Sequence, residues 1–215
     1  MLPGILSTRP QNRGFEGLTI NGNTLYLAVQ SPLQNPTKAV GDKSRVARIL
    51  TFDIRRERVT GEYAYQFEDI TTFDPSYNGD QSQMKISGLA HIAGDRILVD
   101  ERTDKVAHIY EIDLAKAKNL LGGRYDQLST TPSLEALTDL TQVRPTPKKL
   151  IADLSKVAPT LPGKVEGLAI LDPRTIVVIN DNDFGLGEFG ADGRLIDSGV
   201  KTRIVTIKLP KPLRW

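Results

Sequence analysis

The chain has 215 residues, of which 39% are hydrophobic and 25% are charged, and its 28 basic and 26 acidic side chains leave a formal net charge of +2. These values lie near the average for globular proteins, so they indicate neither a disordered chain nor a basic nucleic-acid-binding protein. The absence of cysteine excludes disulfide bonds, thiolate metal sites and a cysteine nucleophile.

Three segments of equal length align without a gap, and each predicts a β-hairpin. A Gly-Leu pair opens a short strand in each segment, a turn rich in Gly, Asn, Asp or Pro follows, and a second, apolar strand ends on a polar residue. The segments are 16–30, 87–101 and 166–180. Such an internal repeat is typical of folds built from stacked, similar units.

Alternating apolar residues predict a third strand after each hairpin, and a fourth strand after the first two copies. The third strands are expected at 46–54, 106–114 and 201–209, and the fourth strands near 62–67 and 149–154. Short helices are expected at 115–121 and 133–140. The connection between the second and third strands differs in length among the copies, as loops on one face of a repeat array often do.

Four antiparallel strands per repeat predict an all-β fold of the β-propeller type. The chain then holds about three four-stranded blades with long loops, which is half of a six-bladed ring. An ordinary β-sandwich, in which the repeats are coincidental, is the alternative. Because closed propellers typically have four to eight blades, a single domain at 1–215 is expected to be an incomplete ring.

Polar residues at repeated positions predict a site near one mouth of the propeller channel, because the first strand of each blade lines that channel. Glu16 and Glu166 are equivalent, and so are Gln30, Glu101 and Asn180. Oxygen ligands of this kind suit Ca²⁺ or Mg²⁺. The densest group follows the last predicted hairpin, at Asn180, Asp181, Asn182 and Asp183, for which a turn capped by Asx side chains is the alternative.

Glu101 and Arg102 place an acid beside a guanidinium that suits a phosphate group, with a surface ion pair as the alternative.

Other motif signals in the sequence are weaker. The glycine pattern at 185–190 precedes a predicted strand rather than the helix of a dinucleotide site. No G-x-S-x-G motif supports a serine hydrolase elbow.

Several motifs in their order along the chain resemble the phytase-like family, which is described by the esterase-like activity of phytase. They are the N-R-G-F-E-G-L, Q-S-P-L, I-S-G-L, D-E-R, E-G-L and N-D-F-G runs at 12–18, 30–33, 86–89, 100–102, 166–168 and 182–185. The resemblance covers nearly the whole chain. It implies a β-propeller, ester or phosphoester hydrolysis with metal-assisted chemistry, and a periplasmic or extracellular location. Family members usually carry about as much propeller again before the first motif, so the chain is expected to be N-terminally incomplete.

The combined hypothesis is a metal-assisted hydrolase of phosphomonoesters or carboxylic esters. Glu16, Glu101 and Glu166 are the predicted catalytic residues, Arg13, Arg102 and Gln30 are predicted to bind substrate, and residues 180–183 are predicted to bind a divalent cation, calcium. The alternative is a non-catalytic propeller with a structural ion in its channel. The predicted partners are a small-molecule ester and a second copy of the chain that completes the ring. Neither nucleic acid nor a membrane span is expected, since no apolar run is long enough to cross a bilayer and residues 1–6 lack an export signal.

Overall fold

A computed structural model describes residues 2–214, and these residues form an all-β protein with few helical turns. The short helices are α1 (Lys38–Lys43), α2 (Ile70–Phe73) and α3 (Leu154–Val157). The strands are β1 (Phe15–Asn21), β2 (Thr24–Val29), β3 (Val46–Asp53), β4 (Arg58–Gln66), β5 (Lys85–Ala93), β6 (Arg96–Arg102), β7 (Ala107–Asp113), β8 (Lys148–Asp153), β9 (Val165–Asp172), β10 (Thr175–Asn180), β11 (Leu186–Phe189), β12 (Leu195–Asp197) and β13 (Ile204–Lys208).

The strands form three main antiparallel sheets in the order in which the repeats occur. Sheet 1 has the strand order β1-β2-β3-β4, sheet 2 has the order β5-β6-β7-β8, and sheet 3 has the order β9-β10-β13. The predicted hairpins, third strands and fourth strands are therefore confirmed. The long connection in the third copy folds into a separate hairpin of β11 and β12.

The sheets pack face to face through their first strands, with sheet 2 in the middle. β1 contacts β5, and β5 contacts β9. β6 lacks the alternation of a half-buried strand because both of its faces are covered. Its Ile97 and Val99 belong to the apolar cluster shared with sheet 1, whereas Leu98 belongs to the cluster shared with sheet 3.

The repeated Gly-Leu pairs explain how closely the sheets approach. A Cβ atom on Gly17 would lie 2.6 Å from Cγ of Leu89, and one on Gly88 would lie 3.2 Å from Cβ of Leu168. The leucine of each sheet therefore occupies space that the glycine of the preceding sheet leaves open. A side chain at Gly17 would displace Leu89, and one at Gly88 would require Leu168 to move by a few tenths of an ångström.

The connection between β7 and β8, residues 114–147, crosses to the outside of sheet 1. Its backbone binds the outer strand β4: Leu120 N–H donates to the Glu62 carbonyl at 2.7 Å, and Thr146 N–H donates to the Ala64 carbonyl at 2.9 Å. The helices expected at 115–121 and 133–140 are wrong. Only 3₁₀ turns form there, at Leu114–Lys116 and Leu134–Ala136. Packing and hydrogen bonding to β4 override the local helix preference.

A buried ion-pair network fixes this connection to sheet 1. Arg48 on β3, Glu62 on β4 and Glu135 on the connection have side chains that are 0% exposed. Arg48 pairs with both carboxylates, with Nη2 lying 2.7 Å from Oε1 of Glu135, and also donates to the Tyr125 carbonyl at 3.0 Å. Burial raises the pKa of Glu62, although the charge of Arg48 opposes the shift. Removing one partner of such a network is strongly destabilising.

Candidate functional site

A polar cavity of about 230 Å³ opens at the edge where the three sheets meet. In an antiparallel hairpin the first strand begins where the second strand ends, so the starts of β1, β5 and β9 and the ends of β2 and β6 reach the same edge. The lining residues are Gln11, Asn12, Arg13, Gln30, Lys85, Arg102, Asp104, Lys164, Glu166 and Asp183.

Four cationic side chains converge on the cavity, and they come from all three sheets. Lys85 and Lys164 occupy equivalent positions in the repeat, two residues before Ser87 and Glu166. Arg13 lies just before β1, and Arg102 ends β6. Because three carboxylates share the cavity with these four cations, the local charge is positive and suits an anionic ligand.

Arg102 is the central cation, and its guanidinium is held on several sides. Its Nε donates to Ser87 Oγ at 2.7 Å, Nη1 donates to Asp104 Oδ1 at 2.7 Å, and Nη2 donates to Glu166 Oε1. Its side chain is only 2% exposed. The bond to Glu166 connects sheet 2 to sheet 3, and the bonds to Ser87 and Asp104 fix the position of the charge.

The other cations also have defined partners. Lys85 Nζ lies 2.6 Å from Asp104 Oδ1, and burial lowers the pKa of this lysine. Lys164 forms an ion pair with Asp183, and that hydrogen bond raises the pKa of Lys164. Arg13 Nη1 donates to Ser31 Oγ at 3.0 Å and to the Ser82 carbonyl at 2.6 Å.

Glu166 is the carboxylate of the cavity best suited to proton transfer. Its side chain is 39% exposed, so a substrate can reach it. Burial raises its pKa, and the nearby charges of Asp181 and Glu16 act in the same direction, while Arg102 opposes them. An upward shift of the pKa is the direction that a general acid requires.

The structure brings five of the sequence-predicted site residues together. Arg13, Arg102, Gln30 and Glu166 all line the cavity, and Asp183 joins them as the partner of Lys164. Glu16 is exposed at the start of β1 and does not line the cavity, although its charge is close enough to act on Glu166.

Glu101 lies outside the cavity, on the opposite face of β6 from Arg102. The residue is 0% exposed, so the surface ion pair that was the alternative for Glu101 does not form. Glu101 accepts hydrogen bonds from the Tyr65 hydroxyl, from Lys148 Nζ at 2.7 Å and from the Glu68 N–H at 2.8 Å. These contacts join sheets 1 and 2, and burial raises the pKa of Glu101.

The predicted calcium ligands at 180–183 do not point to a common centre. Asn180 binds the backbone of 181, 201 and 203, and Asn182 Nδ2 donates to the Val200 carbonyl at 3.4 Å. Asp181 accepts from the Asp183 N–H at 3.0 Å, which is the bond of an Asx turn. Within residues 2–214 no group of three or more His, Asp or Glu side chains is placed to hold a metal ion. As they stand, these residues do not fit a calcium ion.

Lys85, Lys164, Asp104 and Asp100 were not among the site residues predicted from the sequence. The repeated lysine two positions before the Ser87 and Glu166 positions is the signal that identifies the first two. Asp100 faces sheet 3 opposite Gly88 and occupies a repeat position that is Val29 in sheet 1.

Asp100 is a fully buried carboxyl. Neither of its oxygens has a hydrogen-bond partner. Burial raises its pKa to about 8; Arg102 opposes the shift, and the charges of Glu166 and Glu101 add to it. Asp100 is therefore mainly neutral at pH 7.

Comparison with known proteins shows which family the chain matches. Residues 2–184 match the family model named Phytase-like, which is described as esterase-like activity of phytase. Neither a curated protein nor a solved structure gives a significant match. In residues 2–214, no helix is both long enough and apolar enough to span a membrane.

Proposed function

This chain belongs to the phytase-like family, and from that premise we propose that it hydrolyses phosphomonoesters or carboxylic esters in the polar cavity. The observation that carries the proposal is the convergence of Arg13, Lys85, Arg102 and Lys164 around Glu166. Guanidinium and ammonium groups bind phosphate and carboxylate oxygens through charge-assisted hydrogen bonds. The cavity thus supplies both an anion-binding surface and a carboxyl group.

Glu166 acts as the general acid in this proposal. A water oxygen forms the new bond to phosphorus or to the carbonyl carbon, and the bond from that atom to the leaving oxygen breaks. The proton of Glu166 passes to the leaving oxygen, and a proton released by the attacking water restores the acid. Arg102 donates to Glu166 and holds that carboxyl in place, and the more exposed Arg13 and Lys164 would bind the substrate anion beside it.

Calcium enters the proposal through the oxygen ligands at 180–183 in the sequence and through the metal-assisted chemistry that the family resemblance implies. The ion would polarise the ester oxygen and lower the pKa of a bound water. Because the side chains at 180–183 do not form a common ligand set, no step above depends on the ion.

For the fold, we propose that sheets 1, 2 and 3 are consecutive blades of a β-propeller. The supporting observations are the meander order of strands in sheets 1 and 2 and the packing of β1 on β5 and of β5 on β9. The strands that pack together would then line the propeller channel, and the cavity would lie at one mouth of that channel. We also propose a periplasmic or extracellular location, which rests on the family resemblance.

An activity screen tests the proposed hydrolysis. The substrates are p-nitrophenyl phosphate, p-nitrophenyl acetate and phytate, each with EDTA and with added Ca²⁺. We expect turnover of at least one substrate and its loss when Glu166 is replaced. Binding of the esters with no turnover under any condition would refute the enzyme proposal and favour a non-catalytic binding propeller.

A further inference from the structure

The connection between β10 and β13, residues 181–203, leaves sheet 3 and returns to it at the edge where the polar cavity opens. β10 ends at Asn180, which pairs with Val165 at the start of β9, and the cavity residues Lys164 and Glu166 flank Val165. Within the connection, β11 and β12 form a sheet of only two strands. The hairpin is thus an insertion at the mouth of the cavity and not part of the outer face of sheet 3.

Large apolar side chains of this connection are exposed and frame a hollow of about 400 Å³. Phe184 is 94% exposed and Ile196 is 55% exposed. The apolar lining of the hollow consists of Phe184, Leu186, Leu195, Ile196 and Val200. A concentration of exposed apolar side chains around one hollow is typical of a surface that binds a ligand.

The hollow adjoins the polar cavity. Asp183 lines the polar cavity, and its chain neighbours Asn182 and Phe184 line the hollow. Because neighbouring Cα atoms are about 3.8 Å apart, a single thickness of chain separates the two. This wall is anchored on both sides: Asp183 pairs with Lys164, and Asn182 Nδ2 donates to the Val200 carbonyl at 3.4 Å. An anion-binding cavity and an apolar hollow therefore have a fixed spacing.

The backbone of this wall holds Phe184 in an unfavourable conformation. Asp183, Phe184 and Gly185 have positive φ values of 49°, 60° and 73°. Left-handed backbone is ordinary for glycine, but it is an outlier for a bulky residue such as phenylalanine. The ring gains no burial in return, since it is 94% exposed. Strained residues of this kind cluster at sites that contact ligands, and a ligand that covers the ring would supply the missing apolar contact.

We propose that the hollow receives the apolar group of the substrate while the cations of the polar cavity bind its anionic group. The substrate class is then a phosphomonoester with an aryl or alkyl leaving group, and Phe184 is the residue that determines this specificity. An aryl group stacks on the Phe184 ring, and an alkyl chain is removed from water between Phe184, Leu186 and Ile196. The inference rests on the proposed function for the identity of the ester and on the anion-binding role of the cavity.

Isothermal titration calorimetry of the full chain with methylphosphonate, phenylphosphonate and hexylphosphonate tests the hollow. These compounds resemble phosphomonoesters, but their carbon–phosphorus bond replaces the ester bond, so binding is measured without turnover. The phenyl and hexyl compounds are expected to bind roughly tenfold more tightly than the methyl compound, because they bury more apolar surface. Phe184→Ser and Ile196→Ser are each expected to remove most of this advantage and to leave the Kd of methylphosphonate unchanged.

Phe189→Ser is the matched control, since Phe189 is 74% exposed on the same hairpin but does not line the hollow. It should keep the full advantage of the larger compounds. Circular dichroism and thermal melting show whether each variant is folded, and Ile196→Ser tests the hollow even where Phe184→Ser alters the backbone at 183–185.

Equal affinities for the three phosphonates in the unmodified chain, or an unchanged advantage in both folded variants, overturn the inference. Absence of binding by all three overturns it together with the anion-binding cavity. The expected preference without turnover in the activity screen refutes hydrolysis but supports the apolar hollow, whereas turnover without the preference does the reverse. Failure of this inference is therefore distinguishable from failure of the proposed function.

Discussion

Arg102 on β6 forms an ion pair with Glu166 on β9, so the principal cation and the candidate acid of the cavity come from different sheets. The cavity is correctly formed only when sheets 2 and 3 are packed together. Chemistry at the cavity and packing between the sheets are therefore coupled through this pair.

Glu166→Gln is expected to lower kcat by about 10²- to 10⁴-fold, the usual contribution of a general acid. The fold should persist because the side chain is 39% exposed and the amide still accepts a hydrogen bond from Arg102. Steady-state kinetics across pH measures this effect. In the unmodified protein kcat should fall as pH rises through the raised pKa of Glu166, and the variant should lack that dependence. Glu188→Gln, at an exposed residue of β11, is the control. An unchanged kcat in Glu166→Gln rules out the assigned role.

Lys164→Gln is expected to raise KM for p-nitrophenyl phosphate by roughly tenfold, as one lost charge contact implies. The KM for uncharged p-nitrophenyl acetate should change little, since Lys164 acts on the anion. Lys211→Gln, at an exposed lysine outside the cavity, should change neither value. An equal rise in KM for both substrates in Lys164→Gln would show that the substitution distorts the cavity and does not merely remove a charge.

Glu101→Gln is expected to destabilise the fold by about 1–3 kcal/mol, because a buried network of hydrogen bonds loses its charged acceptor. Glu68→Gln is the matched control, since Glu68 contacts the same Lys148 at 2.9 Å with a side chain that is 38% exposed. Denaturant unfolding compares the two variants. A loss of activity in Glu101→Gln at full stability would restore the catalytic role predicted from the sequence.

Added Ca²⁺ is expected to give the same melting curve as EDTA, because the side chains at 180–183 are engaged in other contacts and do not form a common ligand set. Binding of an ion to the folded state alone would raise the melting temperature. Thermal melting in Ca²⁺ and in EDTA measures the difference, and Asp192→Asn, at an exposed residue, is the control. A rise in Ca²⁺ that Asp192→Asn preserves and that the double variant Asp181→Asn with Asp183→Asn abolishes would establish a calcium site at 180–183.

Asp100→Val is expected to stabilise the protein most at pH 8. The pKa of Asp100 is raised to about 8 in the fold, whereas an unfolded aspartate titrates near about 4. Between these pH values the folded state holds a proton that the unfolded state has lost, so the free energy of unfolding falls as pH rises.

Valine has no titrating group, so it removes the fall in the free energy of unfolding with rising pH. It is also the residue at the same repeat position in sheet 1, Val29. A larger gain in the free energy of unfolding is expected at pH 8 than near pH 4. Thermal melting at both pH values, with Asp192→Val as the control, provides the measurement. A gain that does not depend on pH would mean that Asp100 is ionised in the fold.

The strands were predictable because each depends on a local pattern. Alternation and the repeated Gly-Leu pairs determine where a hairpin begins and which of its faces is apolar, and these patterns are visible in the sequence. The helices expected in 115–121 and 133–140 were not correct because contacts with residues far away in sequence decide the conformation there. Leu120 N–H donates to the Glu62 carbonyl of β4, and Glu135 pairs with Arg48 of β3.

The site was predictable in part for the same reason. Arg13, Gln30 and Glu166 stand at strand ends, and strand ends of successive hairpins meet at one edge. Glu101 and Arg102 are adjacent in sequence but lie on opposite faces of β6. The sequence predicts that alternation, but which face meets the cavity and which meets sheet 1 depends on how the sheets stack.

The crossing of residues 114–147 to the outer strand of sheet 1 has a consequence for synthesis on the ribosome. Sheet 1 emerges with Arg48 paired to Glu62 only, because Glu135 has not yet been translated. The outer face of β4 likewise lacks the backbone partners that Leu120 and Thr146 provide later. Sheet 1 therefore cannot form all of its native contacts while it emerges. It completes them only when sheet 2 is almost fully translated.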